Sequence, residues 1–592
     1  MQFAVSSESG LASRRRFLAY FSSIGLSSTL LPGTLWAQVK DPHAPRITLE
    51  MLKSAEATAG LEFTDEERGL LVSDVNQSLD RFEKMRSIPL PNSVPSCLRF
   101  SPVVPGMKFD TVHRPMVMSK TAAVKRPARL EDVAFWPVTM LAKLIERQQV
   151  SSVELTQMYL ARLRRYNDKL KFVITFTDEL AMEQARKADA EIAQGHYRGP
   201  LHGIPWGAKD LISKKGYRTT WGAAPYKDQI FDYDATVVTR LEDAGAVLVA
   251  KLVSGELASG DTWFGGQTKN PWSPEEGSGG SSAGPASATS AGCVGFAIGT
   301  ETGGSIVGPS SRCGVYGMRP TYGRVSRHGV MALAWSLDKI GPICRSVEDC
   351  ALVLHALQGT DDRDLTVTSL PFNWHSELDI TKLRVGYLKP AFDEPRAVEE
   401  EKDNDAATLD KLRSMGVQLK PIEFPACPIQ DLLALMYTEF SAAFDELTRS
   451  NRDDLLARQG ADSQANLYRK NRFVPAVEYI QASRIRTLLM EEMAKTMADI
   501  DVYLAPITAN RGPAGSHPAA AGRGAPSLVG LNTTLTNLTG HPAIVVRNGF
   551  AADGRPTSIT FVGGIYGEAE MLALAHAYQS ATEWHLSHPT LA

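Results

Sequence analysis

The chain has 592 residues, of which 43% are hydrophobic and 22% are charged, and its formal net charge is -3. This composition is that of a globular protein and excludes a disordered chain. Because the charge is close to neutral and no basic stripe is interleaved with aromatic residues, we expect no nucleic-acid partner.

The N-terminus has the pattern of an export signal. Arg14 and Arg15 stand just before an apolar, serine-rich run that ends near Ala37. Paired arginines, a modest apolar region and a small residue at a cleavage point are typical of a twin-arginine signal peptide, here over residues 1–37. Serines and Pro32 interrupt the run, whereas a membrane span needs about 20 predominantly apolar residues. We therefore predict a periplasmic protein, exported by the twin-arginine route, without stable membrane insertion after the signal is removed.

Residues 38–130 form a predicted N-terminal extension. Two stretches have helical patterns, and Thr64 precedes an acidic first turn as an N-cap residue does. A proline-rich stretch, SIPLPNSVPSCLRFSPVVPG, follows them. We interpret these residues as a helical extension packed on the main body of the protein.

From residue 131 to residue 592 the pattern alternates helices with short apolar strands. The segments KFVITFT, GAVLVAKL, DVYLAPIT and PAIVVRNGF have the composition of buried strands, and helical stretches separate them. This alternation predicts a layered α/β fold around a large mixed sheet.

The cysteine pattern is not that of a metal site. The six cysteines are scattered without C-x-x-C spacing, and there is no H-E-x-x-H motif. These absences argue against zinc sites and against a disulfide framework. We predict buried free thiols, although an oxidising compartment would permit one or two disulfides. We predict no metal and no other cofactor.

Two glycine-serine stretches lie close together, EEGSGGSSAGPA at 275–286 and ETGGSIVGPSSR at 301–312. Such tracts are usually linkers, but the segment between them is apolar and the strand-helix alternation continues on both sides. A phosphate loop would need the G-K-[ST] arrangement, which both stretches lack. Glycine-rich loops inside a packed α/β body indicate close approach of the backbone to a ligand.

The first stretch also fits the nucleophile elbow of serine hydrolases, because residues 280–284 read G-S-S-A-G. This alternative would make Ser282 the nucleophile. The elbow needs a hydrophobic strand directly before it, and NPWSPEEGSG is not such a strand.

A lone lysine, Lys209, follows glycines and apolar residues in PLHGIPWGAKDL. Lysine is usually a solvated surface charge, but burial disfavours the charged form and leaves an amine that can act as a base. Together with the two loops, this stretch resembles the amidase signature family, which also includes fatty acid amide hydrolase and the A subunit of the amidotransferase. The resemblance covers about 131–592 and is strongest over 200–325.

The resemblance implies a Ser-Ser-Lys triad. GIPWGAKD matches the segment of the catalytic lysine, Lys209; GGSSAG places the bridging serine at Ser281, next to a cis peptide bond; and GTETGGSI places the nucleophile at Ser305. In this arrangement Ser305 attacks a carbonyl carbon after passing its proton through Ser281 to the neutral lysine.

The resemblance also implies a fold, an oxyanion site and a substrate pocket. The fold is an α/β/α sandwich around a large mixed sheet, with a variable helical substrate region at about 370–500. Backbone N–H groups near the nucleophile would stabilise the oxyanion. The residues that match the oxyanion and pocket segments are Thr302, Gly303, Gly304, Leu257, Ala258 and Ser259.

This sequence departs from the family pattern at the nucleophile loop. Glu301 stands where the family commonly has aspartate, and Val307 stands where it has arginine. Neither change removes a catalytic group, so we expect the departures to alter the support of the loop and the shape of the pocket.

We therefore expect an amidohydrolase that cleaves a small-molecule carboxylic amide, as a monomer or a homodimer. The alternatives are the A subunit of a tRNA-dependent amidotransferase, an esterase or carbamate hydrolase, and a catalytically silent ligand binder. The predicted export argues against the first, because that enzyme needs cytoplasmic partners and charged tRNA. The intact Lys209, Ser281 and Ser305 argue against the last.

Overall fold

The computed structural model describes residues 46–120, 123–396, 398–461, 463–507 and 527–591. The chain divides into two units, residues 1–91 and residues 92–592. The predicted signal peptide lies outside the described residues.

The described part of the first unit holds two helices, α1 (Leu49–Ala59) and α2 (Asp65–Arg86). Thr64 begins α2 through a capping box, in which its backbone N–H donates to the Glu67 carboxylate at 2.7 Å and its hydroxyl accepts from the Glu67 N–H. A buried ion pair of 2.9 Å between Arg68 and Glu56 joins the two helices.

The second unit is built on a mixed β-sheet that has eleven strands in the described residues. The strands of the unit are β1 (Val173–Phe176), β2 (Pro205–Lys209), β3 (Val247–Leu252), β4 (Thr262–Trp263), β5 (Gly266–Gln267), β6 (Lys269–Asn270), β7 (Ser273–Gly277), β8 (Phe296–Glu301), β9 (Tyr316–Arg319), β10 (Lys339–Cys344), β11 (Val385–Leu388), β12 (Leu419–Ile422), β13 (Val502–Pro506), β14 (Ala543–Phe550) and β15 (Pro556–Gly563). The large sheet has the order β1-β3-β2-β8-β10-β9-β14-β15-β13-β11-β12, and β4–β7 form two small ribbons.

The sheet contains both parallel and antiparallel pairs. Strand β2 pairs in parallel with both β3 and β8, and β8 pairs with β10 in the antiparallel sense. Strands β2, β3, β8 and β13 are buried along their whole length, as expected when helices cover both faces of a sheet. The predicted layered α/β fold with a large mixed sheet is confirmed.

Helices surround this sheet. They are α3 (Val138–Glu146), α4 (Ser152–Leu170), α5 (Asp178–Ala193), α6 (Thr236–Asp243), α7 (Ala283–Ser290), α8 (Val307–Cys313), α9 (Val347–Leu357), α10 (Lys389–Asp393), α11 (Glu399–Ser414), α12 (Ile429–Met436), α13 (Thr438–Ala443), α14 (Asp445–Arg449), α15 (Gln464–Asn471), α16 (Ala476–Thr496), α17 (Leu528–Thr539) and α18 (Glu568–Ser580). In the described residues, none of these helices has both the length and the hydropathy needed to cross a bilayer.

The cysteines differ in part from the expectation of buried thiols. All six are free, but Cys97 is exposed and Cys427 is half-buried. Cys97 belongs to the proline-rich stretch, where the chain runs without a helix or strand and residues 97–99 are exposed.

Candidate active site

The sheet carries Lys209 into the interior. It is the last residue of β2, between β3 and β8, and its side chain is fully buried. Its Nζ lies 2.8 Å from Ser281 Oγ and 2.8 Å from Thr300 Oγ1. Burial holds the pKa of Lys209 well below its usual value, against the smaller opposite effects of Asp338 and Glu301. A neutral amine in this position can accept a proton from Ser281.

A second buried lysine has a different environment. Lys251 Nζ lies 2.7 Å from a carboxylate oxygen of Asp210 and 2.9 Å from Thr219 Oγ1. The Asp210 carboxylate therefore compensates the positive charge of Lys251. Lys209 hydrogen-bonds to no carboxylate within the described residues, and this difference distinguishes the candidate base from a structural ion pair.

The loop before α7 presents Ser281 to the lysine. The Gly280–Ser281 peptide bond is cis. Gly280 is required by close backbone packing, because a Cβ at this position would lie 1.8 Å from the carbonyl oxygen of Gly260. On the other side, the carbonyl oxygen of Ser281 accepts a hydrogen bond of 3.1 Å from the Gly255 N–H.

One carboxylate supports the loop that carries Ser305. Oε2 of Glu301 accepts from the N–H groups of Ile306 and Val307, at 2.8 and 3.0 Å, at the start of α8. Its Oε1 accepts from Arg319 at 2.6 Å and from Asn537 at 2.9 Å. Residues 302–305 are therefore tied at both ends to the same buried side chain. The longer glutamate performs this function where the family commonly has aspartate.

The loop of residues 303–305 has backbone N–H groups that make no hydrogen bond within the described residues. Gly303 is exposed, and Gly304 and Ser305 are half-buried. Within the described part of the chain, the N–H groups of these three residues donate to no acceptor. The Ser305 carbonyl oxygen accepts from the Ser282 N–H at 3.1 Å, so the two glycine-serine loops lie side by side. Unpaired N–H groups beside a half-exposed serine form an arrangement that can stabilise an oxyanion.

Ser282 does not have the environment of an elbow nucleophile. Its side chain is fully buried, and its Oγ donates to the Thr300 carbonyl oxygen at 3.1 Å. It also accepts from the Thr300 N–H at 3.2 Å. A nucleophile elbow instead exposes its hydroxyl.

A cavity of about 340 Å³ adjoins Thr302. Of the three predicted pocket residues, Ala258 lines it, whereas Leu257 is fully buried in an apolar cluster and Ser259 is not part of the lining. The segment 92–99, from the predicted extension, also contributes to the lining. No pattern in the sequence signalled this contribution.

Tyr437 is a further candidate that the sequence analysis missed. A Cβ on Gly303 would lie 3.8 Å from the Tyr437 hydroxyl oxygen, which places the phenol beside the loop of free donors. The hydroxyl has no hydrogen-bond partner among the described residues, and burial raises the pKa of Tyr437 to about 12. Its ring packs against Phe440 at 4.5 Å between centroids, and Asn471 donates to its carbonyl oxygen at 3.2 Å. Tyr437 lies in no recognisable motif, so only the fold brings it here.

Comparisons with known proteins identify sequences and folds that are similar to this chain. The sequence model described as Amidase matches residues 154–572. A curated relative, the A subunit of the glutamyl-tRNA(Gln) amidotransferase of Methylococcus capsulatus, is 36% identical over 483 residues, covering 76% of this chain and 97% of the relative. Among solved structures, a peptide amidase bound to the competitive inhibitor chymostatin aligns with a TM-score of 0.68 and 29% identity, over 78% of this chain and 100% of that one. The A subunit of the glutamyl-tRNA(Gln) amidotransferase of Thermotoga maritima aligns with a TM-score of 0.63 and 26% identity, over 78% of this chain and 99% of that one.

The curated relatives contradict the predicted location. They are subunits of a tRNA amidotransferase of the cytoplasm, so the prediction of a periplasmic protein exported by the twin-arginine route is wrong. That prediction depended on arginines before a short apolar run. Such a pattern of charge and hydropathy is not specific to one translocation route.

Proposed function

This chain belongs to the amidase family, and we propose that it cleaves the carbon–nitrogen bond of a carboxylic amide through an acyl-enzyme on Ser305. Ser305 Oγ attacks the carbonyl carbon while its proton passes to Ser281, and Ser281 passes its own proton to neutral Lys209. The reverse relay protonates the leaving nitrogen as the carbon–nitrogen bond breaks. A water molecule then attacks the acyl-enzyme by the same relay and regenerates Ser305.

The observation that carries this proposal is the contact of 2.8 Å between Lys209 Nζ and Ser281 Oγ, two side chains that are both buried. Burial disfavours the charged amine, and a serine hydroxyl is a weak nucleophile unless a base takes its proton. Neutral Lys209 meets that requirement, and it stands in 131–592, which we assign as the catalytic domain.

The charge that develops on the carbonyl oxygen needs donors that are already in place. The N–H groups of Gly303 and Gly304, which donate to no acceptor among the described residues, can supply them. We assign the Tyr437 hydroxyl to the same oxygen, because it faces Gly303 and has no partner in the described part of the chain. A phenol with a raised pKa keeps its proton at neutral pH and therefore remains a donor.

A second candidate function is favoured by the curated relatives, which are A subunits of glutamyl-tRNA(Gln) amidotransferases. In that function the same triad would release ammonia from an amide donor, and partner subunits would use it on charged tRNA. The argument from export against this function no longer holds.

Two assays distinguish these functions. The purified chain is incubated with aryl amides, aliphatic amides, C-terminally amidated peptides, carbamates, esters and free glutamine, and released amine or acid is followed by mass spectrometry. If the chain is an amidohydrolase, it cleaves amides without any added subunit. Turnover restricted to esters or carbamates would instead support an ester or carbamate hydrolase.

The amidotransferase function predicts a different result. Glutamine turnover would be low for the isolated chain and would rise when glutamyl-tRNA(Gln) and the other subunits of the same organism are added. Formation of glutaminyl-tRNA would establish the amidotransferase function.

A third experiment tests for a silent ligand binder. Absence of a covalent adduct with a fluorophosphonate probe, on folded protein, would support a silent binder.

A further inference from the structure

The cavity beside Thr302 has a wall that the family match does not include. This wall, the segment 92–99, precedes the matched range, 154–572, yet it lines the cavity together with the loop around Met331. A wall from outside the matched range gives this chain a means of selecting substrates that its catalytic loops alone do not provide.

The wall is held at both of its ends. The side-chain amide of Asn92 donates to the Ala332 carbonyl oxygen at 2.9 Å and accepts from the Ala332 N–H at 2.8 Å. After the wall, the ring of Phe100 lies edge-on to that of Tyr322, with centroids 4.9 Å apart, and the guanidinium carbon of Arg486 lies 3.6 Å from the Phe100 centroid. The residues between these anchors are fixed beside the cavity.

The acidic side chains that line the cavity are engaged by the protein. Asp338 accepts from the Thr302 hydroxyl at 2.6 Å and from the Leu333 N–H at 2.8 Å. Asp364 accepts from the Arg327 guanidinium at 3.0 Å. Asp364 is therefore paired with a cation, and Asp338 already accepts hydrogen bonds from the protein.

Two basic side chains of the lining are not engaged. Arg99 and Arg363 are exposed, and neither guanidinium makes an ion pair or a hydrogen bond within the described ranges. The lining also contains Met331 and Leu333, which are buried like Thr302, whereas the two arginines lie at the solvent-exposed side of the cavity. A guanidinium group is well suited to bind a carboxylate, through two parallel hydrogen bonds.

We infer that the cavity selects amides that carry a carboxylate at their far end, joined to the scissile bond by an apolar chain. The apolar lining contacts the chain, and Arg99 and Arg363 bind the carboxylate. This inference rests on the proposed function for its catalytic consequence.

The test uses matched pairs of amides with the full-length protein. On the acyl side, the pair is the mono-para-nitroanilide of suberic acid and its analogue with an isopropyl group in place of the carboxylate. On the amine side, the pair is N-acetyl aminocaproate and N-acetyl hexylamine. We expect kcat/KM to be about tenfold higher for the anionic member of one pair, the scale of a charge-assisted hydrogen bond, through a lower KM. The preference should shrink with added salt, because the two guanidinium groups are exposed.

Variants assign the preference to the two arginines. The double variant Arg99→Gln/Arg363→Gln should bring the ratio between the anionic and the neutral amide to about one. Arg484→Gln, an exposed arginine on α16 outside the cavity lining, is the matched control and should leave the ratio unchanged. Binding of the same pairs to Ser305→Ala is measured by titration calorimetry, so that selectivity is tested without turnover.

Equal kcat/KM and equal affinity within both pairs would overturn the inference while leaving amide cleavage intact. A preference that survives in the double variant would also overturn it. If no amide is cleaved but the anionic member still binds better to the intact cavity than to the double variant, the proposed function fails and the selectivity stands.

Discussion

Lys209 Nζ lies 2.8 Å from Ser281 Oγ, and neither side chain is accessible to water, with exposures of 0% and 1%. Protein groups, and not bulk water, therefore solvate a proton shared by these two atoms. The pKa of Lys209 is lowered by burial, and this shift sets the pH at which the relay operates.

The first prediction is a pH–rate profile governed by Lys209. The active form is the neutral amine, so kcat/KM should fall as pH decreases through the lowered pKa of this lysine. The limb should lie well below the usual lysine value of about 10.4. It is measured with an amide whose own groups do not titrate in that range. A rate that tracks an unshifted lysine, rising only above pH of about 10, would contradict the assignment.

The second prediction is that buried Lys209 lowers the free energy of unfolding at neutral pH. Its folded pKa lies below its unfolded pKa, so the unfolded state binds more protons between those values and stability rises with pH there. Lys209→Met should lose turnover by about 10²–10⁴-fold as the base is removed. It should also raise the free energy of unfolding at neutral pH, because methionine removes the cost of deprotonating the lysine on folding.

Urea unfolding at several pH values checks this gain. The advantage of Lys209→Met over the natural protein should decrease as pH approaches the unfolded lysine pKa. Lys251→Met is the matched comparison, because it leaves the Asp210 carboxylate buried without its partner and should destabilise the fold. A constant difference between Lys209→Met and the natural protein at all pH values would contradict the argument.

The third prediction tests how Glu301 positions the nucleophile loop. Glu301→Gln removes the charge that pairs with Arg319, and breaking a buried pair costs about 3–5 kcal/mol. We expect lower stability and a lower kcat, with KM changed less. Glu301→Asp should recover most of the kcat because it restores the carboxylate. Equal kcat for Glu301→Gln and the natural protein would remove Glu301 from the support of Ser305.

The fourth prediction concerns the oxyanion donor from the helical region. Tyr437→Phe keeps the ring on Phe440 and removes only the hydroxyl, so we expect about a 100-fold loss in kcat with little change in KM, as for other single oxyanion donors. Tyr468→Phe, a buried tyrosine of α15, is the control and should retain activity. If both variants behave like the natural protein, Tyr437 does not contact the reacting oxygen.

The sequence predicted the parts of this site that depend on local pattern. Strand β13 is apolar throughout and β3 is apolar except for Lys251, because both sheet faces are covered. The short motifs around Lys209 and Ser281 point to two groups that the fold brings into contact, and the motif around Ser305 lies on a loop beside that of Ser281. The location was predicted wrongly, because it depended on a short charge and hydropathy pattern.

The parts that the sequence did not predict depend on contacts between distant residues. Glu301 is joined to Asn537, and Asn92 is joined to Ala332, by hydrogen bonds that cross the fold. Tyr437 stands between α12 and α13 in the chain, far from Gly303 in sequence, and approaches it only in the folded protein. No periodicity or spacing in the chain encodes such contacts, since they depend on tertiary packing.

Mapping a covalent adduct tests whether Ser305 is the nucleophile. The protein is labelled with a fluorophosphonate probe, digested, and analysed by peptide mass spectrometry, alongside Ser305→Ala and Ser282→Ala. We predict one adduct, on Ser305, that disappears together with turnover in Ser305→Ala and persists in Ser282→Ala, whose buried hydroxyl donates to the Thr300 carbonyl oxygen and accepts from Lys209 Nζ at 3.2 Å. An adduct on Ser282, with turnover retained in Ser305→Ala, would contradict the account.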